Sequence, residues 1–240
     1  ALARPAIGAL AAVCAQTAED AARLRELGAR NVEVTGNLKF DVEPNASQLA
    51  AGRAWRAEVA RPVVLLGSTR EGEEEMLLAG AKVNGALVVL VPRHARRFDE
   101  VARLAQSRRT QAPLPGAADR VHLGDTMGEM FFYYAACDVA VIGGSFAPLG
   151  GQNLIEALAA GAPVIVGPHM YNFAEATRLA VAAGAAVQVR DAQQAMARAA
   201  ELLADERARR RMSEAGKALC AAHRGATARH LAVCRRLLGL

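Results

Sequence analysis

Four glycines, Gly143, Gly144, Gly150 and Gly151, lead into Gln152, Asn153 and Glu156, an order of residue types suited to capturing an anion. Glycine lets a ligand approach the backbone closely. The first turn of a helix beyond it offers unpaired N–H groups and a partial positive charge, for which a phosphate is the natural guest. Four glycines exceed what a tight turn requires. Glu156 can accept hydrogen bonds from ribose hydroxyls; as a first-turn carboxylate it equally complements the helix dipole. Arg93 follows Pro92 at the end of an apolar run. It either projects over the edge of a sheet where ligands bind or joins Arg96 and Arg97 in a solvated basic cluster. Gly128 and Glu129 form a comparable turn before an aromatic segment. Ser68 and Thr69 read as the start of a well-capped helix, with a phosphate site as the alternative. Lys39 is a lone cation in a loop between Asn37 and Asp41.

These groups need strands that end beside them. Val139 to Ile142 and Val164 to Val166 are short apolar runs around an amphipathic segment, Asn153 to Ala160, which Gly161 and Pro163 stop. Strand, loop, helix and strand in that order predict a parallel sheet with right-handed crossovers. The alternation extends to both sides: strands over Val63 to Leu66, Ala86 to Val91, Val121 to Leu123 and Val187 to Val189, and helices over Glu71 to Gly80, His94 to Ala105, Met130 to Ala136 and Ala174 to Ala183. The predicted class is α/β with a doubly wound parallel sheet. Phe131, Phe132, Tyr133 and Tyr134 fall within a helical period and read as core rather than a base-stacking platform. Residues 1 to 30 read as alanine-rich helix, with Thr17 an N-cap and Gly28 a C′ residue. Asn31 to Thr35 is a short strand, Ser47 to Ala60 a helix capped by Ser47, and Gln106 to Asp119 a polar loop. A change of texture after Asp41 marks a domain boundary.

Composition narrows the class. A hydrophobic fraction of 52% over 240 residues is ample for a packed core. The net charge of +5 is moderate and mixed in sign, which does not indicate nucleic acid. Cys14, Cys137, Cys220 and Cys234 are far apart, and no histidine stands at metal-ligand spacing, so free thiols in a reducing compartment and no structural zinc are expected. No run of 18 apolar residues and no signal peptide is present. The start at Ala1, without an initiator methionine, suggests a piece of a longer protein. The arginine-rich end, with Arg207, Arg209, Arg210 and Arg211, reads as a solvated helical face or as a contact for anionic lipid headgroups.

Five blocks together resemble one family: TGNLKFD at 35 to 41, GSTREGEEE at 67 to 75, VPRHARRF at 91 to 98, GDTMGEM at 124 to 130 and GGSFAPLGGQNLIEALAAGAPVIVGP at 143 to 168. In order and spacing they are similar to the 3-deoxy-D-manno-octulosonic acid (Kdo) transferases of lipopolysaccharide inner-core synthesis. The resemblance implies a two-domain glycosyltransferase-B fold, with the acceptor on the amino-terminal domain and CMP-Kdo on the Rossmann-like carboxyl-terminal one. Residues 1–42 would be the end of the acceptor domain with the linker, and 43–240 the CMP-Kdo domain. Pro92 and Arg93, the Gly128-Glu129-Met130 turn and Asn153-Leu154-Ile155-Glu156 would hold CMP. Lys39 would stabilise charge developing in the transition state. The family's general base, a glutamate, and the membrane anchor of many members have no match here, so this piece alone is expected to be inactive. The implied reaction is an inverting, metal-independent transfer of Kdo from CMP-Kdo to lipid A precursor, without a cofactor, at the cytoplasmic face of the bacterial inner membrane. Rival readings are a uridine-nucleotide glycosyltransferase of the same fold, a non-catalytic nucleotide-binding module, and a membrane-interaction protein.

Overall fold

A computed structural model describes residues 3–81, 83 and 85–240. Its contacts divide the chain into two units, one of residues up to Val42 together with Cys220–Leu240, the other Glu43–Leu219. In the first unit, α1 (Ala3–Gly8), β1 (Val13–Ala15), α2 (Ala18–Glu26) and β2 (Val32–Val34) precede a 3-10 turn at Leu38–Phe40. Thr17 caps α2 as its sequence predicts, its Oγ1 accepting from Asp20 N at 3.0 Å. The helical reading of residues 1 to 30, of which Ala1 and Leu2 lie outside the described residues, holds only in part. β1 divides that segment and pairs in parallel with β2, Val13 opposite Val32. Three residues are too few to display a strand period, and their partner lies beyond an intervening helix.

The second unit alternates as the pattern requires. Its elements are α3 (Ala46–Val59), β3 (Val63–Thr69), α4 (Glu73–Ala79), β4 (Leu87–Pro92), α5 (Phe98–Ala102), β5 (Ser107–Arg108), β6 (Val121–Leu123), α6 (Met130–Ala136) and β7 (Val139–Ile142). Then follow α7 (Ile155–Ala160), β8 (Val164–Val166), α8 (Ala174–Ala182), β9 (Ala186–Gln188) and α9 (Ala192–Ala204). The seven strands form one sheet in the order β5-β6-β4-β3-β7-β8-β9, every pair parallel. Val63, Val64, Leu65 and Leu66 are fully buried, the continuous apolar strand expected when both faces of a parallel sheet are covered. Four local expectations are corrected. The helix before β3 is capped by Asn45 rather than Ser47, because the Asn45 carboxamide reaches Gln48 N and the Ser47 hydroxyl turns back to Asn45. β5 lies inside the segment expected to be loop. The helix expected from Asn153 starts at Ile155, since the Asn153 carboxamide accepts from Ile155 N. The helix expected over His94 to Ala105 is a 3-10 turn, Ala95–Arg97, followed by the short α5.

The chain closes with α10 (Glu206–His223) and α11 (Ala226–Leu238). Residues 220–240 group with 1–42, whereas the sequence expectation assigned them to the 43–240 domain. The Asp41 carboxylate accepts from Gly225 N at 2.6 Å and from Thr227 N at the start of α11. Burial opposes the charge, yet the hydrogen bonds from Thr227 and Gly225 hold the Asp41 carboxyl below its ordinary value. Phe40 stacks on His223 at 4.9 Å, and Arg229 Nε donates to Thr35 O at 2.8 Å. Among the described residues, no helix is long and apolar enough to cross a membrane.

Candidate functional site

The strand order reverses beside β3: the chain leaves it toward β4 and returns to its other side as β7. In open parallel sheets that crevice, outside the carboxyl ends of the strands, is where ligands bind. Its walls here are Gly67-Ser68-Thr69 at the carboxyl end of β3 and the glycine-rich loop after β7. At Gly143 the two meet so closely that a Cβ would stand 2.5 Å from Thr69 Cα and 2.6 Å from Ser68 O. Gly144 adopts a φ of +67°, open mainly to glycine. The loop also closes on itself, Gly151 N donating to Gly144 O at 2.7 Å and Gln152 N to Gly143 O at 3.1 Å. The Ser145 hydroxyl donates to Ile142 O at 2.6 Å and accepts from Gly167 N at 2.8 Å, tying the ends of β7 and β8. Because the close contacts of Gly143 are with backbone, Gly143→Ala is expected to cost about 1–3 kcal/mol, the usual range for overpacking. Thermal unfolding reads this as a fall of several degrees; melting identical to the parent would contradict the fit.

Beneath the loop lies a residue the sequence reading treated only as part of a helix start. Glu73 is fully buried, and its carboxylate accepts from Gly144 N at 2.6 Å, Arg70 N and Phe146 N at 2.9 Å, and Ala147 N at 3.3 Å. Its neighbour Glu74 is buried against Arg97, with Nη1 to Oε1 at 2.6 Å and Nη2 to Oε2 at 3.1 Å. Thr69 Oγ1 donates to the same Glu74 Oε1 at 2.6 Å, which commits that hydroxyl to the interior. The acidic run after Thr69 was the available signal, since a helix start does not need that many carboxylates.

The sequence candidates fall into three groups. Arg93, Asn153 and Glu156 come together through Gln152: Arg93 Nε donates to Gln152 Oε1 at 3.2 Å, and Asn153 Nδ2 donates to Glu156 Oε1 at 3.0 Å. Burial raises the Glu156 carboxyl above its ordinary value, while the Asn153 amide and the Arg93 charge pull it back. Leu154 and Ile155 are fully buried and anchor this turn in the core; Pro92 ends β4 opposite Thr69. In the second group, Met130 reaches the end of β3, its Cε 3.4 Å from a Cβ built on Gly67. Gly128 O accepts from Gln48 Nε2 at 2.8 Å. The Glu129 carboxylate is already engaged, by Arg109 Nε at 2.9 Å and Thr126 Oγ1 at 2.6 Å, and Arg109 holds it below the ordinary carboxylate range. Arg109 sits over the Phe132 ring at 3.9 Å and lies in the segment expected to be loop, where no local pattern marks it. Phe132, Tyr133 and Tyr134 are buried as expected of core, whereas Phe131 is only half-buried. The third group is Lys39, exposed on the 3-10 turn of the first unit. Among the described residues, no group of three or more His, Cys, Asp or Glu side chains could hold a metal ion.

This geometry has relatives. Residues 1–42 match the family model described as 3-deoxy-D-manno-octulosonic-acid transferase, and residues 109–219 match that of glycosyl transferases group 1. The chain is 51% identical, over 98% of its length, to the 3-deoxy-D-manno-octulosonic acid transferase of Bordetella pertussis. It is 36% identical, over 83% of its length, to the transferase of that name in Haemophilus influenzae. It spans 59% and 50% of those two proteins. Among solved structures, it is similar to the C-terminal CMP-Kdo binding domain of WaaA from Acinetobacter baumannii, with a TM-score of 0.69 and 27% identity, covering 73% of this chain and 98% of that one. Anabaena HepE in complex with UDP has the same fold, with a TM-score of 0.64 at 18% identity, covering 99% of this chain and 66% of that one.

Proposed function

This chain belongs to the 3-deoxy-D-manno-octulosonic acid transferase family, and from that premise we propose that it is the donor-binding part of an enzyme that transfers Kdo from CMP-Kdo to lipid A precursor. The observation that carries the reading is the joined set Arg93, Gln152, Asn153 and Glu156 beside the glycine-rich loop at the topological switch point. A nucleoside monophosphate asks for these features: a carboxylate for ribose hydroxyls, and a guanidinium beside a glycine-rich loop that lets one phosphate approach closely. Pro92 and the Gly128-Glu129-Met130 turn complete the proposed CMP pocket, with Leu154 and Ile155 supporting it from the core.

In the proposed reaction an acceptor hydroxyl, deprotonated by a base outside this chain, attacks the anomeric carbon of Kdo as the bond to CMP breaks, inverting that centre. The leaving group carries a single phosphate, whose growing charge Arg93 and the loop would meet as preorganised donors, with no metal ion required; Lys39 is proposed, from the family resemblance, to stabilise charge in the transition state. The proposed setting is the cytoplasmic face of the bacterial inner membrane. The cationic end of the chain suits anionic lipid there, although Arg209 Nη1 donates to Leu202 O and Leu203 O and Arg210 pairs with Glu206.

The reading is tested by joining this chain to the acceptor half of a family member and supplying CMP-Kdo and lipid IVA. Formation of Kdo-lipid IVA is expected; transfer from a uridine-nucleotide sugar instead would overturn it. Glu156→Gln is expected to weaken CMP about tenfold in calorimetry, since a hydrogen bond to a charged group is worth roughly 1.4 kcal/mol more than a neutral one. Unchanged affinity would leave Glu156 only the role of complementing the helix dipole.

A further inference from the structure

We infer that Glu73 is a positioning residue for the donor phosphate, an inference that rests on the reading of the glycine-rich loop as a phosphate site. Its carboxylate is fully buried, and both oxygens are used by backbone N–H groups. Three of those N–H groups, from Gly144, Phe146 and Ala147, belong to the loop after β7, more than seventy positions further along the chain. The fourth, from Arg70, belongs to the loop after β3. One anion thus fixes both walls of the crevice.

A buried carboxylate is costly unless its lone pairs are filled, so the loop conformation that fills them is strongly preferred over others. Gly144, Phe146 and Ala147 are turned inward to Glu73, and Gly151 N and Gln152 N fold back onto Gly144 O and Gly143 O. The loop is therefore held from below before any ligand arrives. Such preorganisation improves binding by removing the cost of ordering the loop at that moment. Glu73 itself is too buried to touch the ligand, so it acts through the backbone it holds.

Glu73→Gln tests this. The amide has a single acceptor oxygen and turns an NH2 group toward N–H donors. Calorimetry on the 240-residue chain, below its unfolding temperature, compares CMP with cytidine. The parent is expected to prefer CMP, and the variant to lose about tenfold or more of that preference while binding cytidine as the parent does. Glu73→Asp, which keeps the charge but reaches less far, is expected to fall between them and serves if Glu73→Gln does not fold. A folded variant with the parent's CMP-to-cytidine ratio would overturn the inference and leave Glu73 a purely structural carboxylate. A parent without preference for CMP over cytidine would instead overturn the phosphate reading, and the inference with it.

Discussion

In the full-length protein, with the proposed transfer activity, Lys39→Ala is expected to lower turnover about a hundredfold to a thousandfold while leaving CMP affinity nearly unchanged, the loss typical of removing one preorganised donor to a developing negative charge. The turn that carries Lys39 is held on both sides. Asn37 Oδ1 accepts from Lys39 N at 2.9 Å, Phe40 is buried and stacked on His223, and Asp41 caps the start of α11. Thr35 is held by Arg229 through its carbonyl, and its hydroxyl lies 3.1 Å from His230 Nε2. Steady-state kinetics beside CMP titration checks the split. Equal losses in turnover and CMP affinity would remove the role assigned to Lys39.

The largest stability effect is expected at Arg97. Its guanidinium, only 3% exposed, meets both oxygens of Glu74 and also Glu100 at 3.1 Å. Breaking a buried pair strands the remaining charge, which typically costs about 3–5 kcal/mol. For a chain of this size each kcal/mol moves the melting temperature by roughly 2–4 °C, so Arg97→Ala should melt about 6–20 °C lower. The double variant Glu74→Leu with Arg97→Met should recover much of that loss, because well-packed apolar replacements leave no orphaned charge. A single variant that melts with the parent would contradict the buried pairing. The same pair is why Arg97 does not share the solvated fate that the sequence allowed for the cluster of Arg93, Arg96 and Arg97. Arg93 and Arg96 both remain exposed, Arg93 bonded to Gln152 and Arg96 3.6 Å from Glu71, and only Arg97 of the three is buried.

The sheet was legible because its strands carry continuous apolar runs closed by glycine or proline, as at Val63 to Leu66 and Val139 to Ile142. The loop after β7 was legible because glycines outnumbered the needs of a turn. What stayed hidden depends on partners distant in the chain. Glu73 looks like any first-turn carboxylate until the Gly144 to Ala147 backbone is set against it. β1 becomes a strand only beside β2, and the last helix reaches its partners Asp41, Thr35 and Glu33 through Thr227, Arg229 and Arg236, about two hundred positions further along the chain. Arg109 had no local signature, because a guanidinium between Glu129 and Phe132 is indistinguishable in sequence from a solvated one.

The central claim, that this chain carries a site for CMP, is tested most directly by calorimetric titration of CMP into the 240-residue chain, with UMP, UDP and ADP as controls. Selective binding of CMP is the predicted result. A preference for UDP, or no binding of any of the four nucleotides, would contradict it.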